Sequence, residues 1–250
     1  MVFTWIVVGL YVALLGASQL GYWLGRRPRV PKDATEKSYA AVWQSALLAL
    51  AGLLIAFTFS MAQARYDARK QIVLAEANAI GTAYLRTRLL DDAAGEPLRA
   101  LIRRYVDARL AFGASGADEA RTLQLMHESA ALADEIWERV AAAGRADHSP
   151  TIALLVQSTN EMIDAGEEHF TAIANPLPMT VFLVLFFVTA VAMASTGFAC
   201  AIEARRSVFG MIVMPLLLAT VVCLIFDLAH PRIGIVRVHD PVLTRLKQSF

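Results

Sequence analysis

The chain has 250 residues, 57% of them hydrophobic and 18% charged. Ordinary soluble domains carry about 25% charged residues; here the apolar excess falls in four long blocks, which excludes an ordinary soluble domain and marks a polytopic membrane protein. The net charge of +1 hides an asymmetry: residues 64–176 hold 12 Lys/Arg against 17 Asp/Glu, so this stretch is acidic and the remainder basic.

Val2 to Leu24 is uncharged and long enough to cross a bilayer. Gly16-Ala17-Ser18 resembles a cleavage site, but no basic segment precedes the apolar run, so a retained first span is expected. Arg26 to Lys37 is a basic connector containing Pro28 and Pro31. A second span follows from Tyr39 to Ala62, and no helix breaker separates it from the polar Gln63-Ala-Arg-Tyr-Asp-Ala-Arg-Lys70. With no proline from Tyr39 to Leu90, one helix of roughly 75 Å is predicted, far longer than the roughly 30 Å of a bilayer core.

Beyond Tyr66 the period is helical. Val73, Ala77, Ile80 and Tyr84 form one stripe, with Glu76 and Asn78 read as lying off it. Asp91 or Asp92 is a candidate cap for a helix carrying Leu98, Leu101, Tyr105, Leu110 and Phe112. Asp118 to Ala143 and Thr151 to Ala174 follow the same pattern, separated by a turn at 144–150. Met179 to Ala201 and Val208 to Leu228 are the third and fourth spans. The tail after Ala229 is expected to be irregular, with a short helix around Leu243 to Gln248.

The predicted fold is therefore all-α, with four transmembrane helices and a helical bundle inserted between spans two and three. The expected divisions are 1–62 (spans one and two), 63–175 (the bundle), 176–229 (spans three and four) and 230–250 (the tail). Arg26, Arg27, Arg29, Lys32, Lys37, Arg205 and Arg206 flank the spans on one side, and Arg65, Arg69, Lys70 and the four basic residues of the tail flank them on the other, so the positive-inside count does not orient the chain. Cys200 and Cys223 lie in apolar blocks and are expected to be buried free thiols.

Catalytic patterns are missing. His127-Glu128 has Ala131 where a zinc-protease helix needs its second histidine, and Glu167-Glu168-His169 reads as a polar helix face. There is no glycine-rich phosphate loop, nucleophile elbow or Cys-x-x-Cys. No enzymatic activity, cofactor, metal or nucleic-acid partner is expected.

Three features carry functional content. Span two has a broad polar and small face including Gln44, Ser45, Gly52, Thr58, Ser60 and Gln63. It is either a surface for close helix approach or a pore wall, with Phe57 and Phe59 as candidates for an apolar constriction. Arg65, Arg69 and Lys70 at the membrane exit either anchor the helix in the interface or ring a pore mouth in an oligomer. Asp227, near the end of span four, is costly unless paired. Its candidate roles are a local interface anchor, a partner for Arg65 or Arg69, and a contact to ions.

The run Phe59-Ser-Met-Ala-Gln-Ala-Arg-Tyr-Asp-Ala-Arg-Lys-Gln-Ile-Val-Leu-Ala-Glu-Ala-Asn-Ala-Ile-Gly-Thr-Ala-Tyr84 resembles the signature of the bacterial bestrophin-like membrane proteins. Asp227-Leu-Ala-His-Pro-Arg-Ile-Gly-Ile-Val-Arg-Val238 is similar to that family's tail motif, departing from it at Ala229 and His230, where Asp and Arg are usual. True bestrophins are pentameric anion channels whose second span lines the pore. The resemblance implies a multi-pass protein of the bacterial inner membrane, partnered by lipid, by further copies of itself (five, by analogy) and by small inorganic ions. A non-conducting scaffold or sensor, whose helical domain binds a partner, is the alternative.

Overall fold

The structure, a computed structural model, describes residues 2–27, 33–116, 118–174, 177–204, 207, 209–230 and 241–250. The described residues are helical with no strands. They form α1 (Val2–Gly25), α2 (Ala34–Thr87), α3 (Asp92–Ala114), α4 (Glu119–Ala146), α5 (Pro150–Ala174), α6 (Met179–Ile202), α7 (Met214–Ala229) and α8 (Pro241–Gln248). A π-helical turn at Phe209–Val213 leads into α7. Among the described residues, four helices are long and apolar enough to cross a membrane.

α2 runs unbroken for 54 residues, about 80 Å at 1.5 Å per residue. Its start is capped by Asp33, whose Oδ1 accepts from the Glu36 amide at 2.8 Å. Its end winds down through Arg88, Leu89 and Leu90, whose amides donate to the carbonyls of Leu85, Arg86 and Thr87. The chain is then free to turn at Asp91, which caps α3 by accepting from the Ala94 amide at 3.0 Å. Asp118 caps α4 in the same way through the Arg121 amide. The expected turn at 144–150 is shorter than predicted: α4 continues through Gly144 to Ala146.

The chain divides into two compact units, residues 1–65 with 177–236 and residues 66–176 with 237–250. In the first unit, α1 and α6 approach so closely that a Cβ at Gly21 would run into the backbone carbonyl of Ala194, and one at Gly197 into that of Ser18. Only residues without a side chain fit there. Small residues at this spacing are how membrane helices gain packing contact when lipid is as apolar as their own side chains. Leu14, Met193 and Ala219 form the core of this unit. Thr189 and Thr196 are buried and satisfied within α6, donating to the carbonyls of Leu185 and Ala192. The π turn precedes Pro215, whose ring cannot fit under the carbonyl four residues earlier in an α-helix and has no N–H to donate. Cys223 is buried and Cys200 half-buried, both as free thiols.

In the second unit the latter part of α2 packs with α3, α4, α5 and α8 around Ile80, Ile102, Val106, Ile136, Val140, Leu155 and Met162. A smaller cluster holds Phe112, Leu125 and Phe170. The terminal helix starts at Pro241 rather than Leu243, and Leu243 is fully buried in the main core. The Phe250 ring stacks on Tyr84 with centroids 3.9 Å apart. The tail between 231 and 240, including the Pro231-to-Val238 part of the family-like motif, lies outside the described residues.

Candidate functional site

At 100° per residue, the first half of α2 presents three distinct faces. One is turned into its own unit: Ala40, Ala51, Thr58 and Ala62 are buried, with Gln44 and Leu54 half-buried beside them. A second face is large, apolar and exposed, through Tyr39, Val42, Leu50, Leu53 and Phe57. The third is small and polar. Ser45, Ala49, Gly52, Ala56 and Ser60 are exposed, Gln63 is half-exposed, and Phe59 lies on the edge of the stripe. Steps of four, three, four, four and three keep Ser45 and Gln63 in line over five turns, about 27 Å.

These faces sort the residues singled out from the sequence. Ser45, Gly52, Phe59 and Gln63 come together. Gln44 and Thr58 sit on the packed face, Thr58 being 6% exposed with its hydroxyl donating to the Leu54 carbonyl at 2.7 Å. Phe57 is 64% exposed but lies on the large apolar face, about a third of the way round the helix. Ser45 satisfies its hydroxyl on the Ala41 carbonyl, the usual way a helix carries a hydroxyl without a strand or water partner. Open space surrounds the position a Cβ would take at Gly52.

In the continuation of α2, Arg69 is 4% exposed and Arg65 half-buried, while Asp67 and Lys70 are exposed. The Lys70 ammonium lies 5.8 Å from the centre of the Tyr66 ring. Asp227 is 3% exposed in the last turn of α7, a position a carboxylate occupies only when paired.

The second unit holds a charged cluster, two of whose members were expected off the apolar stripe or on a polar helix face. Glu76 does not lie off the apolar stripe, and His169 does not belong to a polar face. Glu76 and Arg109 are fully buried and form an ion pair through Glu76 Oε1 and Arg109 Nε. His169 Nδ1 lies 2.6 Å from Glu76 Oε2 and 3.0 Å from Arg109 Nη2. One ring nitrogen cannot donate to the carboxylate and accept from the guanidinium together. The shorter, charge-assisted contact assigns the proton to Nδ1, which donates to Glu76. Arg109 Nη2 is then left to donate to the Gly166 carbonyl at 3.3 Å. The guanidinium carbon sits 3.9 Å from the centre of the Phe170 ring and 5.1 Å from that of Phe112. Those ring faces offset part of the cost of a buried Nη1 that has no hydrogen-bond partner among the described residues. Nearby Tyr105 has its phenol pushed up to about 12, first by burial. Glu167 and Glu168, next to His169, are exposed.

One signal of this cluster was available in the sequence. Glu76 is three residues after Val73 and four before Ile80, so it shares their face. Arg109 likewise follows Tyr105 by four residues and precedes Phe112 by three. One charge of each sign on two apolar stripes marks a buried pair.

A family model, the Bestrophin-like domain, matches residues 12–243. Two crystal structures of a bacterial bestrophin homologue from Klebsiella pneumoniae, each carrying a point mutation, resemble the chain in fold. One has a TM-score of 0.64 at 13% identity, covering 100% of this chain and 96% of that one. The other has a TM-score of 0.63 at 13% identity, covering 97% and 95%. No curated protein sequence matches. Four bilayer-length apolar helices, this shared fold and a domain match over nearly the full length together make the chain a membrane protein that belongs to the bestrophin-like family.

Proposed function

We propose that the chain is a homo-oligomeric ion channel whose conduction path is walled by the small, polar face of α2. The observation that carries this reading is the stripe from Ser45 to Gln63. Its small side chains leave room beside the helix, and the hydroxyl and amide dipoles it carries can solvate ions along a water-filled axis. The stripe's length of about 27 Å is close to the thickness of a bilayer core. Channel function in the wider family supports the assignment.

The face sorting refines which residues belong to the path. Ser45, Gly52, Ser60 and Gln63 form its wall, and Phe59 is the residue placed to narrow it. Gln44 and Thr58 support the wall from behind, and Phe57 faces lipid or a neighbouring protomer. No ionisable group lies on the stripe, so selectivity rests on pore width, hydroxyl and amide dipoles, and any apolar constriction rather than on a ring of charge. Beyond Gln63 the exposed charges of α2 are Asp67 and Lys70, which replace Arg65 and Arg69 as the residues that would bias ions at a mouth. Asp227 acts as a structural acid with Arg65 as its partner. Five subunits, a location in the bacterial inner membrane and a helical layer continuous with α2 complete the proposal.

The test is electrical. Purified protein in planar bilayers should give single-channel currents, with reversal potentials in asymmetric salt assigning the ion sign. In a Cys200→Ala, Cys223→Ala background, Ser45→Cys, Gly52→Cys and Gln63→Cys should each be blocked by a charged thiol reagent, while Phe57→Cys should not. Silence across salts, pH and voltage from an intact oligomer would move the reading to a non-conducting scaffold.

A further inference from the structure

The first unit holds a groove of about 670 Å³ between the end of α1, the start of α2 and the middle of α6. It has room for about twenty water-sized groups. Its walls are almost wholly apolar, with Leu24 from α1 and Phe198 from α6, and one acid, Glu36, lines it. Glu36, Tyr39 and Trp43 occupy successive turns of α2 on one side. Glu36 is half-buried, and Tyr39 and Trp43 are exposed to 58% and 66%. Among the described residues Glu36 makes no salt bridge. Its amide is capped by Asp33, so the side chain is not needed to close the helix end.

From Glu36 to Trp43 the groove descends about 10 Å along α2. The acid therefore sits where the polar connector meets the membrane, and the aromatic and apolar walls lie deeper. Arg26 and Arg27, which follow this segment of α1, do not line the groove; each guanidinium lies over a ring of its own helix, Tyr22 and Trp23. A carboxylate beside two open aromatic faces is an arrangement that recognises an ammonium group. An apolar trough below it suits an acyl chain.

We propose that this groove holds one phospholipid of the ethanolamine class, its ammonium between Glu36, Tyr39 and Trp43 and an acyl chain against Leu24 and Phe198. The assignment uses charge complementarity at the groove and does not depend on whether the protein conducts.

Native mass spectrometry of the purified full chain, loaded with equimolar phosphatidylethanolamine and phosphatidylglycerol, tests it. The native protein should retain ethanolamine lipid in roughly two- to fivefold excess. Glu36→Gln and Trp43→Ala should each bring the ratio toward one, and Glu36→Asp should keep part of the preference. Equal or reversed retention by the native protein overturns the proposal, as does a preference that neither Glu36→Gln nor Trp43→Ala moves. Trp43→Cys cross-linking between subunits, equally in both lipids, would put a second copy of the chain in the groove and overturn it as well.

Discussion

Arg109 of α3 donates through Nε to Glu76 of α2 with both side chains removed from solvent. Removing either charge alone strands the other in a low-dielectric interior, so Glu76→Ala or Arg109→Ala should destabilise the helical unit by about 3–5 kcal/mol. Replacing both with apolar residues, Glu76→Leu with Arg109→Met, should recover part of that loss, the remainder being the cost of the His169 Nδ1–H left without its acceptor. Thermal unfolding followed by circular dichroism measures both effects. Equal losses in the single and double variants would show that packing volume, not charge, sets the cost.

Tyr105 supplies a pH prediction. Its folded value of about 12 lies above the unfolded value of 10.0, so the native state keeps a proton that the unfolded chain releases. The stability linked to it is fully present below pH 10 and fades as pH rises through about 12. Melting temperatures taken across that range should fall, and Tyr105→Phe should remove this part of the fall. Tyrosinate absorbance should show one phenol ionising later than the others.

Two glycines separate folding from the proposed conduction path. At Gly21 an added side chain meets the Ala194 backbone, whereas at Gly52 it meets open space. Gly21→Leu should therefore cost about 3 kcal/mol or more, since backbone cannot move aside as a side chain can. Gly52→Ala should leave stability unchanged or raise it by up to about 1 kcal/mol through helix propensity, while altering single-channel conductance. Loss of folded protein with Gly52→Ala would place that position against a neighbouring helix instead of an aqueous path.

The attachment of α8 to its unit rests on apolar burial, with Leu243 in the core and Val242 and Leu246 packed against it, more than on charge. Leu243→Ala should cost about 2–5 kcal/mol and speed amide exchange over residues 241–248. Lys247 pairs with Asp107 at 2.7 Å, with both side chains about half exposed, so Lys247→Ala should change stability by less than about 1 kcal/mol. Comparing the exchange rates of the two variants distinguishes the contributions.

The amino-acid sequence by itself determined the membrane character, the four long apolar helices, the helical period of the acidic region and the family. These follow from length and composition: crossing lipid takes about twenty apolar residues with every backbone group bonded within the segment, and a 3.6-residue period marks a helix that buries one face. The same period shows that α2 has faces but not which of them meets another helix. Tertiary structure decided that Thr58 is packed and Gly52 is open. It moved the close small-residue contact to Gly21 and Gly197, because their fit depends on two backbones distant in sequence. It also buried Glu76, Arg109 and His169, residues whose place on the surface or in the core depends on whether other helices bring the complementary charge. Polarity is a property of one residue, whereas burial of a polar residue is a property of the partners the fold assembles around it.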